Sequence, residues 1–334
     1  MYPMPQPPPG KSHSFVRGIF VTLATTIIGF SLMLNIYLLF LNGVMSGRTS
    51  SKSETVVAGD PMQKIAMVRL DGIIMDSAYT KFDRLLTLVE KEKNIKALIV
   101  EIDSPGGSVT ASDMIYDRLV RFRKAHPGMP VVSAMGSLAA SGGYYSACGT
   151  DYIVAQRTTM TGNIGVLMPR YNISGLVQKL GVAENTVTST GSRYKNAGSM
   201  FKPDDPVETK YFQELIDQAF VQFKQVVQEG RGERLKQPLD EIANGKIYMA
   251  GDALKLGLID QVGFLDDAIA YTAKTAGLSK PMAVRYEDNP SLSQLLFGAE
   301  SKFGGSSPGV TLHVSPEVID EMTTPRLMYL WRGQ

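Results

Sequence analysis

From Ile19 to Leu41 the chain runs IFVTLATTIIGFSLMLNIYLLFL, 23 residues without a charge and interrupted only by Thr, Gly, Ser and Asn. Coiled as a helix, this run spans about 34 Å, enough to cross a hydrocarbon core of ~30 Å. A cleaved secretory signal has a shorter apolar run and a small-x-small exit, whereas the exit here is Asn42-Gly43-Val44-Met45. The pattern therefore predicts a retained transmembrane helix over residues 19–41. The proline-rich leader, residues 1–18, and the Ser/Gly-rich linker, residues 42–60, are predicted to lack structure. Lys11 and Arg17 precede the apolar run and Arg48 and Lys52 follow it, so the nearby basic residues balance. The free amino terminus adds one charge to the short leader, and a large following domain translocates whatever its charge. The expectation is a single-pass protein of the cell membrane with a cytoplasmic N-terminus and an extracytoplasmic body.

From Lys64 onward short apolar runs alternate with amphipathic stretches. Ile65–Leu70 is predicted as a strand, Tyr79–Lys91 as a helix, and Ile95–Ile102 as a second strand covered on both faces. A helix over Ser108–Lys124, a strand over Val131–Met135, a short helix from Ser141 and a strand over Tyr152–Ala155 follow. This is the order of an α/β domain, placed at residues 61–290. Asp204-Asp205-Pro206 opens a long helix to about Glu229, with Phe212, Ile216, Phe220, Phe223 and Val227 on one face, most simply core. Residues 291–334, which include GAESKFGGSSPG, are predicted to be a loop-rich, partly disordered tail.

Composition narrows the function classes. The 334 residues are 44% apolar and 20% charged, which excludes disordered, collagen-like and coiled-coil chains. A net charge of +2 gives no electrostatic reason for a nucleic-acid partner. Cys148 is the single cysteine and no Cys/His cluster has zinc spacing, so neither an internal disulfide nor a metal site is expected. The histidines are His13, His126 and His313, none well placed to serve a nucleophile, which disfavours a Ser-His-Asp triad.

Two glycine-rich turns carry the candidate chemistry. Asp103-Ser-Pro-Gly-Gly-Ser108 follows a strand and precedes a helix, where its glycine amides are either an ordinary turn or donors for an oxyanion. After the next strand, Gly136-Ser-Leu-Ala-Ala-Ser-Gly-Gly-Tyr-Tyr145 sets Ser141 among tiny side chains that admit a substrate backbone. Ser141 is either a nucleophile or an N-cap serine. With histidine scarce, a desolvated lysine is the alternative base. Lys195, in Gly191-Ser-Arg-Tyr-Lys-Asn-Ala-Gly198, follows a strand-like Asn185–Thr190 and has Arg193 and Lys202 close in sequence. It is otherwise a solvated loop lysine.

Taken in order, Asp103-Ser-Pro-Gly-Gly107, Ser137-Leu-Ala-Ala-Ser-Gly-Gly-Tyr144, Thr161-Gly-Asn-Ile-Gly-Val166, Tyr194-Lys195, Arg231-Gly232 and Gly257-Leu-Ile-Asp260 resemble the signal peptide peptidase A (SppA) family of membrane-anchored Ser–Lys proteases, from about Lys64 to Ala276. The resemblance implies a Clp-protease/crotonase-like spiral of repeated ββα units, with Ser141 as nucleophile and Lys195 as general base. It further implies an oxyanion hole from the amides of Gly107 or Gly106 and of Gly142. Family members commonly carry Ser at the position of Asn163, where the hydroxyl orients the lysine; Asn163 has an amide carbonyl for that role. By the same resemblance, a chain with a single motif copy assembles into a homo-oligomeric ring, an octamer, in which Ser141 and Lys195 pair either within one protomer or between neighbours. Substrates by the same resemblance are remnant signal peptides and other hydrophobic peptides, held near Ala139 and Leu167, with no cofactor. Two other readings share the fold: a crotonase-type acyl-CoA enzyme, which would need neither Ser141 nor an anchor, and a catalytically silent membrane scaffold or peptide-binding protein.

Overall fold

A computed structural model describes residues 12–45, 51–288 and 326–333. They belong to two compact units, of which the first is described through a single helix, α1 (Ser12–Met45). Within it Arg17–Leu38 is 22 residues long with a mean hydropathy of 2.0, long and apolar enough to cross a membrane. Several of its polar side chains bond back into the helix. Thr22 Oγ1 donates to the Gly18 carbonyl, Thr26 Oγ1 to that of Thr22, and Asn35 Nδ2 to that of Ser31, each at 2.8 Å. A lipid surrounding, which offers no partners, demands this. The helix starts earlier than predicted, so residues 12–18 are helical rather than leader; residues 1–11 lie outside the described residues.

The second unit runs β1 (Ser51–Val57), β2 (Lys64–Asp71), α2 (Asp76–Lys91), β3 (Ile95–Ser104), β4 (Gly106–Ser108), α3 (Val109–Ala125), β5 (Val131–Ala140), α4 (Gly142–Ala147), β6 (Tyr152–Ala155), β7 (Met160–Gly162) and α5 (Ser174–Lys179). It continues with α6 (Pro206–Arg231), α7 (Leu239–Ile242), β8 (Ile247–Met249), α8 (Ala250–Leu256), β9 (Gln261–Val262), α9 (Leu265–Thr275), β10 (Met282–Asp288) and β11 (Met328–Leu330). The main sheet has the order β1-β10-β2-β3-β5-β6-β9 and is parallel except for β1, which pairs antiparallel with β10. Both faces are covered, as the near-continuous apolar strands require. Ala66, Val68, Leu98, Val100 and Ile102 face the cluster of Phe82, Leu86, Ile115 and Leu119 from α2 and α3. Ile65, Met67, Ala97, Ile99 and Val132 face Ala268, Ile269 and Ala273 of α9.

One strand belongs to two ladders. The first half of β5, to Met135, lies between β3 and β6; its last residues, Leu138–Ala140, pair instead with β7, which in turn pairs antiparallel with β8. Thr159 Oγ1 donates to the Gly136 carbonyl (2.6 Å) and Thr161 Oγ1 to that of Ala139 (2.7 Å), pinning the bend. At the branch the end of β5 exchanges β6 for β7 as its neighbour while Ala139 stays paired with Ser104 of β3, and Ser141 follows directly.

Several predicted boundaries change. Residues 51–57, assigned to the linker, form β1 because β10 offers them an open edge, whereas 46–50 lie outside the described residues. Asn185–Thr190 makes no strand, having no ladder to join. On α6 the apolar face is core only in its C-terminal half: Phe223 and Val227 are buried, while Phe212 and Ile216 are half-exposed. Of the predicted tail, residues 291–325 lie outside the described residues, but Met328–Leu330 forms a strand of the body.

A buried ion pair locks the end of α6 to the sheet. The guanidinium of Arg231 grips both oxygens of Asp260 (2.7 and 2.8 Å), whose Oδ2 also accepts the Ile153 N–H (2.8 Å). Next to this lock, Gly230 abuts Cys148: a Cβ there would lie 2.5 Å from the Cys148 carbonyl oxygen. Burial pushes the Cys148 thiol up to about 12.

Burial alone would raise the Asp260 carboxyl, but the Arg231 fork outweighs it and the net shift is downward. The unfolded chain therefore takes up this proton more readily, so the pair's contribution is whole above the ordinary carboxylate value of about 4 and is lost as pH falls through the lowered folded value. Asp260→Asn is expected to cost about 3–5 kcal/mol in chemical denaturation at pH 7, since it strands a buried cation. The wild-type advantage shrinks below pH ~4; a loss under 1 kcal/mol at pH 7 contradicts the assignment.

Candidate active site

The first predicted turn is a short strand held on both sides. Ile74 N–H donates to the Gly106 carbonyl (2.9 Å) and Ser108 N–H to that of Ile74 (2.8 Å), while β11 pairs antiparallel along the opposite edge with Tyr329 facing Gly107. Ser104 Oγ accepts the Gly106 N–H (3.1 Å) and donates to the Gly72 carbonyl (2.6 Å). Close approach, more than turning, demands the glycines. A Cβ on Gly107 would sit 2.0 Å from the Ile74 carbonyl oxygen, and one on Gly106, where φ is +95°, would sit 2.6 Å from the Gly142 nitrogen.

The second turn holds Ser141 in a conformation that side chains avoid. Its φ is +54° and ψ −116°. Its N–H donates to the Gly162 carbonyl and its own carbonyl accepts the Tyr145 N–H, both at 2.8 Å, so the start of α4 and the end of β7 hold it there. A residue with a Cβ in such a region costs on the order of 1–3 kcal/mol. The capping alternative fails, because the Ser141 side chain makes no cap hydrogen bond. Instead Oγ is buried and has no hydrogen-bond partner among the described residues, with the residue only 1% exposed. Orphaned buried polar atoms are rare and call for an explanation, of which a catalytic role is one.

Around Ser141 the two turns converge. A Cβ on Gly142 would lie 3.1 Å from both the Gly107 nitrogen and the Tyr329 carbonyl oxygen, so these atoms border one small volume. Gly142 is the first residue of α4, where the amide has no intrahelical acceptor. The Gly106 amide is already engaged by Ser104, which leaves Gly107 as the donor of that pair.

Lys195 is not brought to this point within one chain. It lies exposed on a 3-10 turn, Arg193–Asn196, and does not reach the unpartnered Ser141 hydroxyl. The neighbouring cations are ion-paired, Lys202 with Glu208 (2.6 Å) and Arg193 with Asp205 (3.5 Å). Asn163 has φ +53°, a left-handed conformation that Asn adopts more readily than most residues. Its Nδ2 donates to the Gly245 carbonyl (2.6 Å) and its N–H to that of Lys246 (2.7 Å), so its side chain serves the loop before β8 rather than Lys195. Among described body residues the one histidine, His126, is bound through Nδ1 to the Phe122 carbonyl at 2.9 Å.

Sequence reasoning missed an aromatic pocket beside Ser141. The Tyr329 ring stacks on Tyr145 (centroids 4.9 Å) and tilts against Phe223 (4.6 Å), and its hydroxyl donates to the Ala219 carbonyl (2.8 Å). Tyr145 donates in turn to Asp113 (2.6 Å); burial and that carboxylate push its phenol far up. Phe223 was visible on the apolar face of α6, and the available signal for β11 was the run Leu327-Met-Tyr-Leu-Trp331.

Residues 123–279 match peptidase family S49 and residues 51–161 match Clp protease, so the body is a Clp-protease-like α/β fold. A protein described as signal peptide peptidase SppA of Enterococcus faecium is 31% identical over 260 residues, 75% of this chain and 74% of that one. A protein described as a protease of Synechocystis sp. is 36% identical over 72% of this chain and 85% of its own. Protease 4 of Haemophilus influenzae is 28% identical over 80% of this chain and 46% of its own length. Among solved structures, a variant of a membrane-bound stomatin-specific protease in complex with a substrate peptide covers 72% of this chain and 98% of its own at 20% identity, with a TM-score of 0.43.

The strain at residue 141 is measurable. Ser141→Gly relieves the positive φ and Ser141→Ala does not, so the glycine variant is expected to be the more stable of the two by about 1 kcal/mol in thermal or chemical unfolding. An alanine variant at least as stable as the glycine variant removes the claim of strain.

Proposed function

Since the chain belongs to peptidase family S49 and is a serine peptidase, we propose that Ser141 is its nucleophile, Lys195 its general base, and the Gly107 and Gly142 amides its oxyanion hole. The observation that carries this reading is the Ser141 hydroxyl: buried, unbonded, held at a positive φ, and bordered by two amides. In the reaction Oγ attacks a peptide carbonyl, the lysine amine accepts the Oγ proton, and the amides stabilise the tetrahedral oxyanion. The same amine then activates the water that hydrolyses the acyl-enzyme.

A lysine amine works as a base near neutral pH only after desolvation lowers its pKa by about three units, roughly 4 kcal/mol. The exposed turn of Lys195 supplies no such burial within one chain. The pair therefore forms between neighbouring copies in a homo-oligomeric ring, where a second body covers the lysine and brings it to Ser141. Asn163 is left with a local structural role. Helix α1 anchors the body in the cell membrane with the short leader in the cytoplasm. The substrates are remnant signal peptides and other hydrophobic peptides presented at the membrane surface.

Full-length protein in detergent, assayed on a fluorogenic hydrophobic peptide, tests the dyad. Ser141→Ala is expected to lose cleavage and labelling by a serine-directed phosphonate, and Lys195→Ala to lose about 10²–10⁴ in kcat/KM together with the alkaline rise in the pH profile. Mixing the two inactive variants is expected to restore part of the activity, because a neighbour supplies the missing partner. Cleavage at the wild-type rate by both variants sinks the proposal.

A further inference from the structure

From Gly165 to Val207 no residue is buried, and between α5 and the Lys195 turn the chain forms neither helix nor strand. A four-residue 3-10 turn does not hold itself in place, so the position of Lys195 depends on what its neighbours touch. On the N-terminal side Arg193 reaches Asp205 only as an exposed ion pair at 3.5 Å, and the Tyr194 ring stacks on Tyr211 with centroids 4.8 Å apart. On the C-terminal side Gly198 N–H donates to Glu208 Oε2 (3.2 Å). The residue directly after Lys195 is held by a different carboxylate. Asn196 Nδ2 donates to Glu184 Oε1 (3.0 Å), and Glu184 also accepts Thr186 Oγ1 on Oε1 (2.7 Å) and Ser199 Oγ on Oε2 (2.5 Å).

We propose that Glu184 is the positioning residue for Lys195: by fastening Asn196 and Ser199 it fixes the backbone from which the amine projects. This rests on Lys195 being the general base of the proposed dyad. The three donors, the Ser199 hydroxyl foremost, hold the Glu184 carboxyl below the usual carboxylate range, so at neutral pH it is an anion that accepts from all three at once. Glutamine can stand in for it, keeping one oxygen for Asn196 and Thr186 while the Ser199 hydroxyl turns to accept from its amide. Aspartate, one methylene shorter, cannot span the same three partners. Asn163 does not share the role, because its amide is spent on the Gly245 carbonyl. Neither Glu184 nor any of its three partners is buried, so the cluster supplies placement and not core stability. Placement matters for a proton acceptor, since a shift of about 1 Å can cost on the order of 10²-fold in rate.

The test uses full-length protein in detergent and the fluorogenic hydrophobic peptide. Glu184→Ala is expected to lower kcat by about 10–100-fold with KM within about twofold of wild type, because the turn carries the base and not the substrate. Glu184→Gln is expected to recover kcat to within about threefold of wild type, and Glu184→Asp to stay low. In the Lys195→Ala background, adding Glu184→Ala is expected to change the residual rate by less than about twofold, since Glu184 acts only through the lysine. Losses that multiply in the double variant overturn the proposal, as does a wild-type kcat in Glu184→Ala. A fall of more than about 5 °C in the unfolding temperature of Glu184→Ala also overturns it, by making Glu184 a folding residue. Full activity in Lys195→Ala defeats the base assignment and this proposal together, whereas loss in Lys195→Ala beside full activity in Glu184→Ala defeats this proposal alone.

Discussion

A hydroxyl buried without a partner costs about 1–3 kcal/mol, and a side-chain-bearing residue held at positive φ costs a similar amount; Ser141 carries both. Neither persists unless the surroundings over-determine the backbone. Here they do. The Gly162 carbonyl holds the Ser141 amide, α4 holds its carbonyl, and the end of β5 is tied to β7 on one edge and to β3 through Ala139 on the other. The sheet branch thus places an unfavourable residue where two ladders and a helix fix it simultaneously.

The proposed oxyanion side follows the same exclusion of alternatives. Ser104 occupies the Gly106 amide, which leaves the choice between two adjacent glycines to a hydroxyl two residues upstream. Ile74 and β11 clamp β4 from both edges, so the amides are aimed by strand pairing and not by a flexible loop. Behind this arrangement the bidentate Arg231–Asp260 pair fastens the far end of α6, the helix whose Phe223 and Ala219 wall the aromatic pocket.

The α/β order was legible in the sequence because parallel strands buried on both faces are apolar nearly throughout, and β2, β3, β5 and β6 fall where their runs lie. Ser141 and the glycines were legible as motifs, but not the reasons for them. That Gly107 is required by the Ile74 carbonyl depends on a segment some thirty residues away in sequence, and that Gly106 has spent its amide depends on the aim of a hydroxyl two residues upstream, which no motif records. Strand β1 was illegible because its Ser/Lys/Glu composition mimics a linker, and only the free edge of β10 makes it a strand. The short apolar run at the C-terminus was hidden by the Gly/Ser-rich sequence before it. Lys195 stands on an exposed turn, and nothing in the single-chain pattern brings it to Ser141.

The chain's one thiol sits inside the body against Gly230, and burial keeps it protonated far above neutrality. Oxidants reach thiolates, not sequestered thiols. The folded body is accordingly insulated from oxidants at this residue, and Cys148 cannot staple one folded copy to the next. Any assembly of folded copies therefore forms without a disulfide from this residue, and its population follows protein concentration by mass action.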